Sequence, residues 1–202
     1  MDWRVAHALN AFAYRHHWIG SAFHQIENYG VLLFGIAAFA LWLLARPGGP
    51  RYWKLASACG LASGALGLLV NQVIGKIWHR ERPWEAHGLY PNGSVHQFGP
   101  PSHDPSFPSD HASAAFGIAF GVFLIDRVAG WIFVAAAVVL SFGRLLVGSH
   151  YPTDVIAGGL VGFGCAVLVA RLGRPVIEFL VRLVERVTDP IVAPLWRRGA
   201  RS

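Results

Sequence analysis

The run from Tyr29 to Ala45 (Y-G-V-L-L-F-G-I-A-A-F-A-L-W-L-L-A) carries no charge. As a helix it is about long enough to cross ~30 Å of hydrocarbon. Residues 55–75 are again uncharged, with Asn71 and Gln72 entering near their end, and further apolar stretches occupy residues 112–126, 128–147 and 155–171. The sequence therefore predicts an all-α integral membrane bundle of about five transmembrane helices, built as a single domain from the 202 residues. Composition agrees: 54% of the residues are hydrophobic and 14% charged, well away from the globular average. The last of these stretches is rich in Gly and Ala, which lets neighbouring helices approach closely.

Residues 1–28 contain Asp2, Arg4, Arg15, His16 and His17 and no long apolar core, which argues against an ordinary cleaved signal peptide. They are expected to form an interfacial helix. A sixth span here is the rival, but it would put Arg15, His16 and His17 near the bilayer centre at considerable cost. Residues 76–111 lack sustained periodicity and form a long polar loop. In residues 175–202, Val176, Phe179, Leu180, Leu183, Val184 and Val187 recur at helical spacing among Arg182, Arg186, Arg197, Arg198 and Arg201, the pattern of an amphipathic interfacial helix.

With five spans, Arg46, Arg51, Lys54, Arg127 and the arginine-rich tail share one side, which the positive-inside rule makes cytoplasmic. The net charge of +6 thus reads as membrane orientation and implies no nucleic-acid partner. Cys59 and Cys165 lie in apolar stretches without ligand spacing, so they read as small buried residues. No carboxylate cluster suggests a metal, and no cofactor is expected.

The 76–111 loop and the segment 144–154 then share the outer face, and three charged blocks lie there. In R-L-L-V-G-S-H-Y-P-T-D, Arg144 precedes His150 by six residues and Asp154 follows four later. If Asp154 opens the next helix, it can accept a hydrogen bond from one imidazole nitrogen and leave the other basic. Taken alone, the pair equally fits an interfacial histidine beside a helix-capping aspartate. In F-P-S-D-H, Ser109 and Asp110 read as an N-cap before residue 112, a helix start that also suits an oxyanion, with His111 placed to protonate a leaving oxygen. In K-I-W-H-R-E-R-P, Lys76, Arg80 and Arg82 are cations on the side that should be poor in them. An anionic ligand outside accounts for them. Cations, helix N–H groups, a nucleophilic histidine and an acid histidine together describe phosphoryl transfer through a phospho-histidine.

These blocks, Lys76 with Arg82-Pro83, then Pro108-Ser109-Asp110-His111, then Arg144, His150 and Asp154, resemble those of the type 2 phosphatidic acid phosphatases (PAP2), which share their site with vanadium haloperoxidases. The resemblance runs from Gly75 to about Gly159. It implies that His150 is the nucleophile, Asp154 orients it and His111 is the acid, while Arg82, Ser109, Arg144, Lys76 and Asp110 form the phosphate-binding set. Two departures stand out. Five residues separate Lys76 from Arg82, so Gly75 holds the usual lysine position and Lys76 would sit about 120° off the face of Arg82 on an ideal helix; unwinding before Pro83 could restore it, or Arg80 could substitute. Asp110 replaces the usual Gly, a variant similar to bacterial undecaprenyl pyrophosphate phosphatases of the bacitracin-resistance type.

The resemblance thus implies a metal-independent phosphatase of the bacterial cytoplasmic membrane, acting on polyprenyl pyrophosphate at the extracytoplasmic face, with the lipid tail between helices. Phosphatidylglycerophosphate or phosphatidate is the alternative substrate. A non-catalytic lipid transporter or bacitracin-resistance protein is the reading from another class, and the absence of an evident inverted repeat speaks against a transporter.

Overall fold

A computed structural model describes residues 1–100 and 102–199; of the expected C-terminal amphipathic segment, residues 200–202, including Arg201, lie outside the described residues. Eight α-helices follow in order: α1 (Asp2–Arg15), α2 (His17–Leu44), α3 (Tyr52–Ile77), α4 (Pro83–His87), α5 (Asp110–Phe123), α6 (Arg127–Leu146), α7 (Pro152–Leu168) and α8 (Arg174–Gly199), with a π-helical turn at Val169–Gly173 joining the last two. Among the described residues, four helical stretches are long and apolar enough to cross a membrane by length and composition: His17–Leu44, Tyr52–Ile77, Arg127–Leu146 and Pro152–Pro194.

The stretch expected as a span at residues 112–126 is the shortest of the five, and it runs alongside α3 from Asn71 to Trp53. As α5 it has 14 residues, about 21 Å of helix at 1.5 Å per residue, and it is the central element, packed on α3, α6 and α7. Small residues make this possible. A Cβ at Gly117 would stand 2.8 Å from the Ser63 carbonyl oxygen and 3.0 Å from the Gly64 Cα, and one at Gly162 would stand 2.5 Å from the Ser113 carbonyl. Backbones that close cannot admit any larger residue. Phe34, Ile118, Val122, Phe133 and Leu140 complete the buried apolar core where α2 and α6 close over α5.

The N-terminal segment also differs from expectation. The single interfacial helix predicted for residues 1–28 is divided at His16, after which α2 runs unbroken from His17. One side of its first three turns faces the polar loop: Gly20 packs against Phe98, and Glu27 and Asn28 line a small pocket with Trp84, Gln97 and Ser149. Similarly, α8 continues α7 and folds its acidic side back on the α2–α3 connection. Arg51 and the buried Lys54 pair with Glu185, Lys54 also with Asp189 at 2.6 Å, and Trp42 Nε1 donates to Thr188. Nearby, Asp126 caps α6 by accepting from the Val128 and Ala129 N–H groups, each at 3.0 Å, and accepts from Trp53 Nε1. The bundle thus has two charged ends. The three sequence blocks lie at the other one.

Candidate active site

His150 sits in the short connection between α6 and α7, where Gly148 adopts φ +76°. A side chain there would be strained by that backbone and would also strike Asn10 and Val95, 2.9 Å from a Cβ. The imidazole is 1% exposed. Its Nδ1 lies 2.8 Å from the Ser106 carbonyl oxygen, an acceptor only, so Nδ1 carries the proton and Nε2 keeps its lone pair. Two guanidinium groups face that lone pair: Arg144 Nη2 at 3.0 Å and Arg82 Nη1 at 3.3 Å. Burial, reinforced by those two charges, holds the imidazole well below the usual histidine range, so it stays neutral and basic at Nε2.

Asp154 occupies the first turn of α7, fully buried. The hydrogen bond expected between it and His150 is not made: Oδ2 and Nδ1 are 3.7 Å apart. Competing partners explain this. Asp154 Oδ2 accepts from the Ser106 hydroxyl at 2.6 Å and the Tyr151 N–H at 2.9 Å, while His150 Nδ1 donates to the Ser106 carbonyl. Ser106 therefore stands between them and passes the orientation on. The sequence reading missed Ser106, since nothing in P-S-F-P-S-D-H distinguishes it from a loop serine.

Arg82 is placed by the end of α3 at Ile77 and by Pro83 at the first position of α4. Its backbone is extended, as residues before proline are, and its N–H donates to Glu85 Oε2 at 2.8 Å. The side chain, 3% exposed, donates to the Asp104 carbonyl and carboxylate and to the Ser149 carbonyl. Arg144, 4% exposed, is held by an ion pair to Glu27 of α2. His111 Nε2 lies 3.1 Å from the main-chain oxygen of the same Glu27. Ser109 is buried and caps α5, its hydroxyl accepting from the Ala112 N–H and its own N–H donating to the Asp154 carbonyl.

Two members of the predicted set, and the alternative Arg80, lie elsewhere. Lys76 is exposed, on the rim of a pocket of about 230 Å³ between the end of α3 and residues 104–110, shared with His79, Asp104 and Asp110. The helix unwinds before Pro83, yet this carries Arg82 inward and leaves Lys76 outside; Gly75 is the residue facing Pro105 and Phe107. Asp110 is engaged by Asn71 Nδ2 and Gln72 Nε2, at 2.9 and 3.1 Å, which ties α5 to α3. Arg80 does not replace the lysine either. It donates to Asp154 Oδ1 at 2.5 Å and to Asp2 Oδ2 at 2.7 Å, lying over the Tyr151 ring. Asp2 also accepts from Thr153; burial alone would raise its carboxyl, but the bonds from Thr153 and Arg80 reverse this and hold it below the usual range.

A family model described as the PAP2 superfamily matches residues 51–177, more than half of the chain. The chain belongs to the PAP2 superfamily. Undecaprenyl-diphosphatase BcrC of Bacillus subtilis (strain 168) is 27% identical over 194 residues, 95% of each chain. The lipid A 1-phosphatase of Rhizobium johnstonii is 40% identical over 120 residues, 55% of this chain and 45% of that protein. The crystal structure of a transmembrane PAP2-type phosphatidylglycerolphosphate phosphatase from Bacillus subtilis superposes with a TM-score of 0.57 at 20% identity, covering 84% of this chain and 82% of that one. That likeness is one of fold. The chain is accordingly a multi-pass PAP2 membrane phosphatase, and the PAP2 segment contains every block from Lys76 to Asp154. Asp2 and Glu27 lie outside it.

Proposed function

We propose that this PAP2 phosphatase hydrolyses a polyprenyl pyrophosphate, with undecaprenyl pyrophosphate as the first candidate, to the monophosphate and inorganic phosphate, and so recycles a cell-wall lipid carrier. The observation that carries the chemistry is the neutral His150 Nε2 faced by two buried guanidinium groups. Nε2 attacks the terminal phosphorus, a P–N bond forms, and the bond to the bridging oxygen breaks. His111, entering the step as the imidazolium, keeps its Nε2–H on the Glu27 carbonyl and gives its Nδ1 proton to the departing lipid phosphate. Water then attacks the phospho-histidine, His111 takes its proton back, and phosphate departs. Arg82 and Arg144 stabilise the equatorial oxygens throughout. No step calls on a metal ion.

The lipid part of the reading is supported by likeness to undecaprenyl-diphosphatase over 95% of both chains and by an apolar groove of about 550 Å³ between α5, α6 and α7. Phe116, Phe120, Phe142 and Leu160 line it, and it reaches the catalytic layer through Leu145, next to Arg144, and Val155, next to Asp154. The cationic end with Arg46, Arg51 and Arg127 faces the cytoplasm, so the site opens on the extracytoplasmic side of a bacterial inner membrane. A lipid phosphomonoester is the second reading, favoured by the 40% identity to lipid A 1-phosphatase across the catalytic segment.

The test is phosphate release by purified protein in EDTA from undecaprenyl pyrophosphate, phosphatidylglycerophosphate and phosphatidate, with His150→Ala as control. We expect the pyrophosphate to have the highest kcat/KM and His150→Ala to lose more than ~10⁴-fold in kcat with its fold retained. Preference for a monoester overturns the substrate; substantial turnover by His150→Ala overturns the nucleophile; dependence on added metal overturns the metal-free scheme.

A further inference from the structure

We propose that Glu27, on α2 and outside the PAP2 segment, is the positioning residue that dedicates one edge of Arg144 to the transferring phosphoryl group; this rests on the phosphatase reading above. A guanidinium has two bidentate edges, one formed by Nη1 and Nη2 and the other by Nη2 and Nε. Glu27 Oε1 takes Nη1. Nη2 lies 3.0 Å from His150 Nε2, and Nε is buried without a hydrogen-bond partner among the described residues. A buried donor left unpaired costs about 1–3 kcal/mol, so it is a position where a partner is missing. The unpaired Nε and the Nη2 beside His150 share an edge, and the acceptor that fits both, while its central atom meets the Nε2 lone pair, is a tetrahedral oxyanion.

Glu27 is itself held in place. Ser149, whose carbonyl accepts from Arg82, donates its hydroxyl to Glu27 Oε1 at 2.9 Å. One side chain thus fixes the rotation of the second arginine about its long axis, and the adjoining Ser149 ties it to the first. Arginine is a planar fork, so anchoring Nη1 sets the direction of the other donors. A carboxylate acting only as counter-ion to a buried charge could have approached either edge; this one leaves open the edge next to the nucleophile.

The test compares Glu27→Ala and Glu27→Gln with the unaltered protein, using the lipid pyrophosphate that the unaltered protein turns over. Misaiming a group by about 1 Å can cost ~10²-fold, so Glu27→Ala should lose roughly 10- to 100-fold in kcat, with KM within about threefold and the thermal transition retained. Glu27→Gln keeps an acceptor for Nη1 and should recover at least half of that loss on a logarithmic scale. The proposal is overturned if Glu27→Ala keeps kcat within about twofold, if the loss appears in KM alone, or if Glu27→Gln is no better than Glu27→Ala. An unaltered protein that releases no phosphate from any lipid phosphate overturns the phosphatase reading instead.

Discussion

At the end of the bundle where α2 meets α3, Lys54 is 3% exposed and its ammonium is taken up by Glu185 and Asp189. At the other end Arg82 and Arg144 are as deeply buried, at 3% and 4%, and each also has a carboxylate, Asp104 and Glu27. The difference lies in what the carboxylates leave over. Lys54 is a compact charge held between two acids, so it clamps α8 to α3. The arginines keep donors pointing at a neutral imidazole, and Arg144 keeps a buried N–H with no acceptor among the described residues. Burial of a cation alone therefore does not distinguish a clamp from a ligand site. The unspent donors do.

The sharpest way to break this comparison is to change the arginines. Arg144→Lys preserves the charge and loses the fork, and Arg82→Ala removes donors outright; each should lower kcat by roughly 10²–10³-fold, the range for one preorganised donor, in assays of phosphate release. If Arg144→Lys is fully active, geometry at that residue is irrelevant and charge alone suffices. The complementary change, Lys54→Met, should cost about 2 kcal/mol of stability, since Asp189 loses its ammonium while Arg51 still holds Glu185, seen as a lower denaturation midpoint, while kcat per folded molecule stays within about twofold.

A smaller effect should come from pH. His150 is held neutral in the folded protein, whereas in the unfolded chain it takes up a proton near its ordinary value of about 6.5. Folding stability from this group is therefore intact above that pH and is lost progressively as pH falls below it towards the depressed folded value. Tm measured from pH 7.5 to 5 should decline, and His150→Gln should flatten the decline; identical slopes would show that another group titrates. The smallest change is expected at Asp2, a partly exposed anchor for Arg80. Asp2→Asn should cost roughly 0.2–1 kcal/mol of that interaction, less than about fivefold in kcat, and a larger loss would promote α1 to a direct part of the site.

How much of this could be read from the chain itself follows from sequence distance. Arg144 and His150 are six residues apart on one helix end, and the rigid step at Pro83 points Arg82 inward, so short-range rules find them. Ser106, Asp104 and Glu27 act on partners 22 to 117 residues away, and Glu27 lies among polar residues that read as membrane surface. Such partners emerge only when α2 and the 104–110 segment are packed. Lys76 shows the reverse failure: the motif spacing drew it into the site, while the helix end left its side chain outside. At α5 composition leaves the environment open for a related reason, because apolar residues do not distinguish a helix buried by protein from one buried by lipid.

The shortness of α5 has a consequence for how far a substrate must travel. Its far end lies near Asp126 and Trp53, at the charged end opposite the site. A helix of about 21 Å starting from that face stops some 9 Å short of the other side of a ~30 Å hydrocarbon layer. Ser109, His111 and the neighbouring His150 are then sunk below that other face of the bilayer rather than raised above it. Drawing a polyprenyl chain out of the bilayer would cost about 0.8 kcal/mol for every methylene exposed. A reaction centre sunk below that face leaves the chain dissolved in the membrane, so diffusion in the plane, rather than extraction, delivers the phosphate.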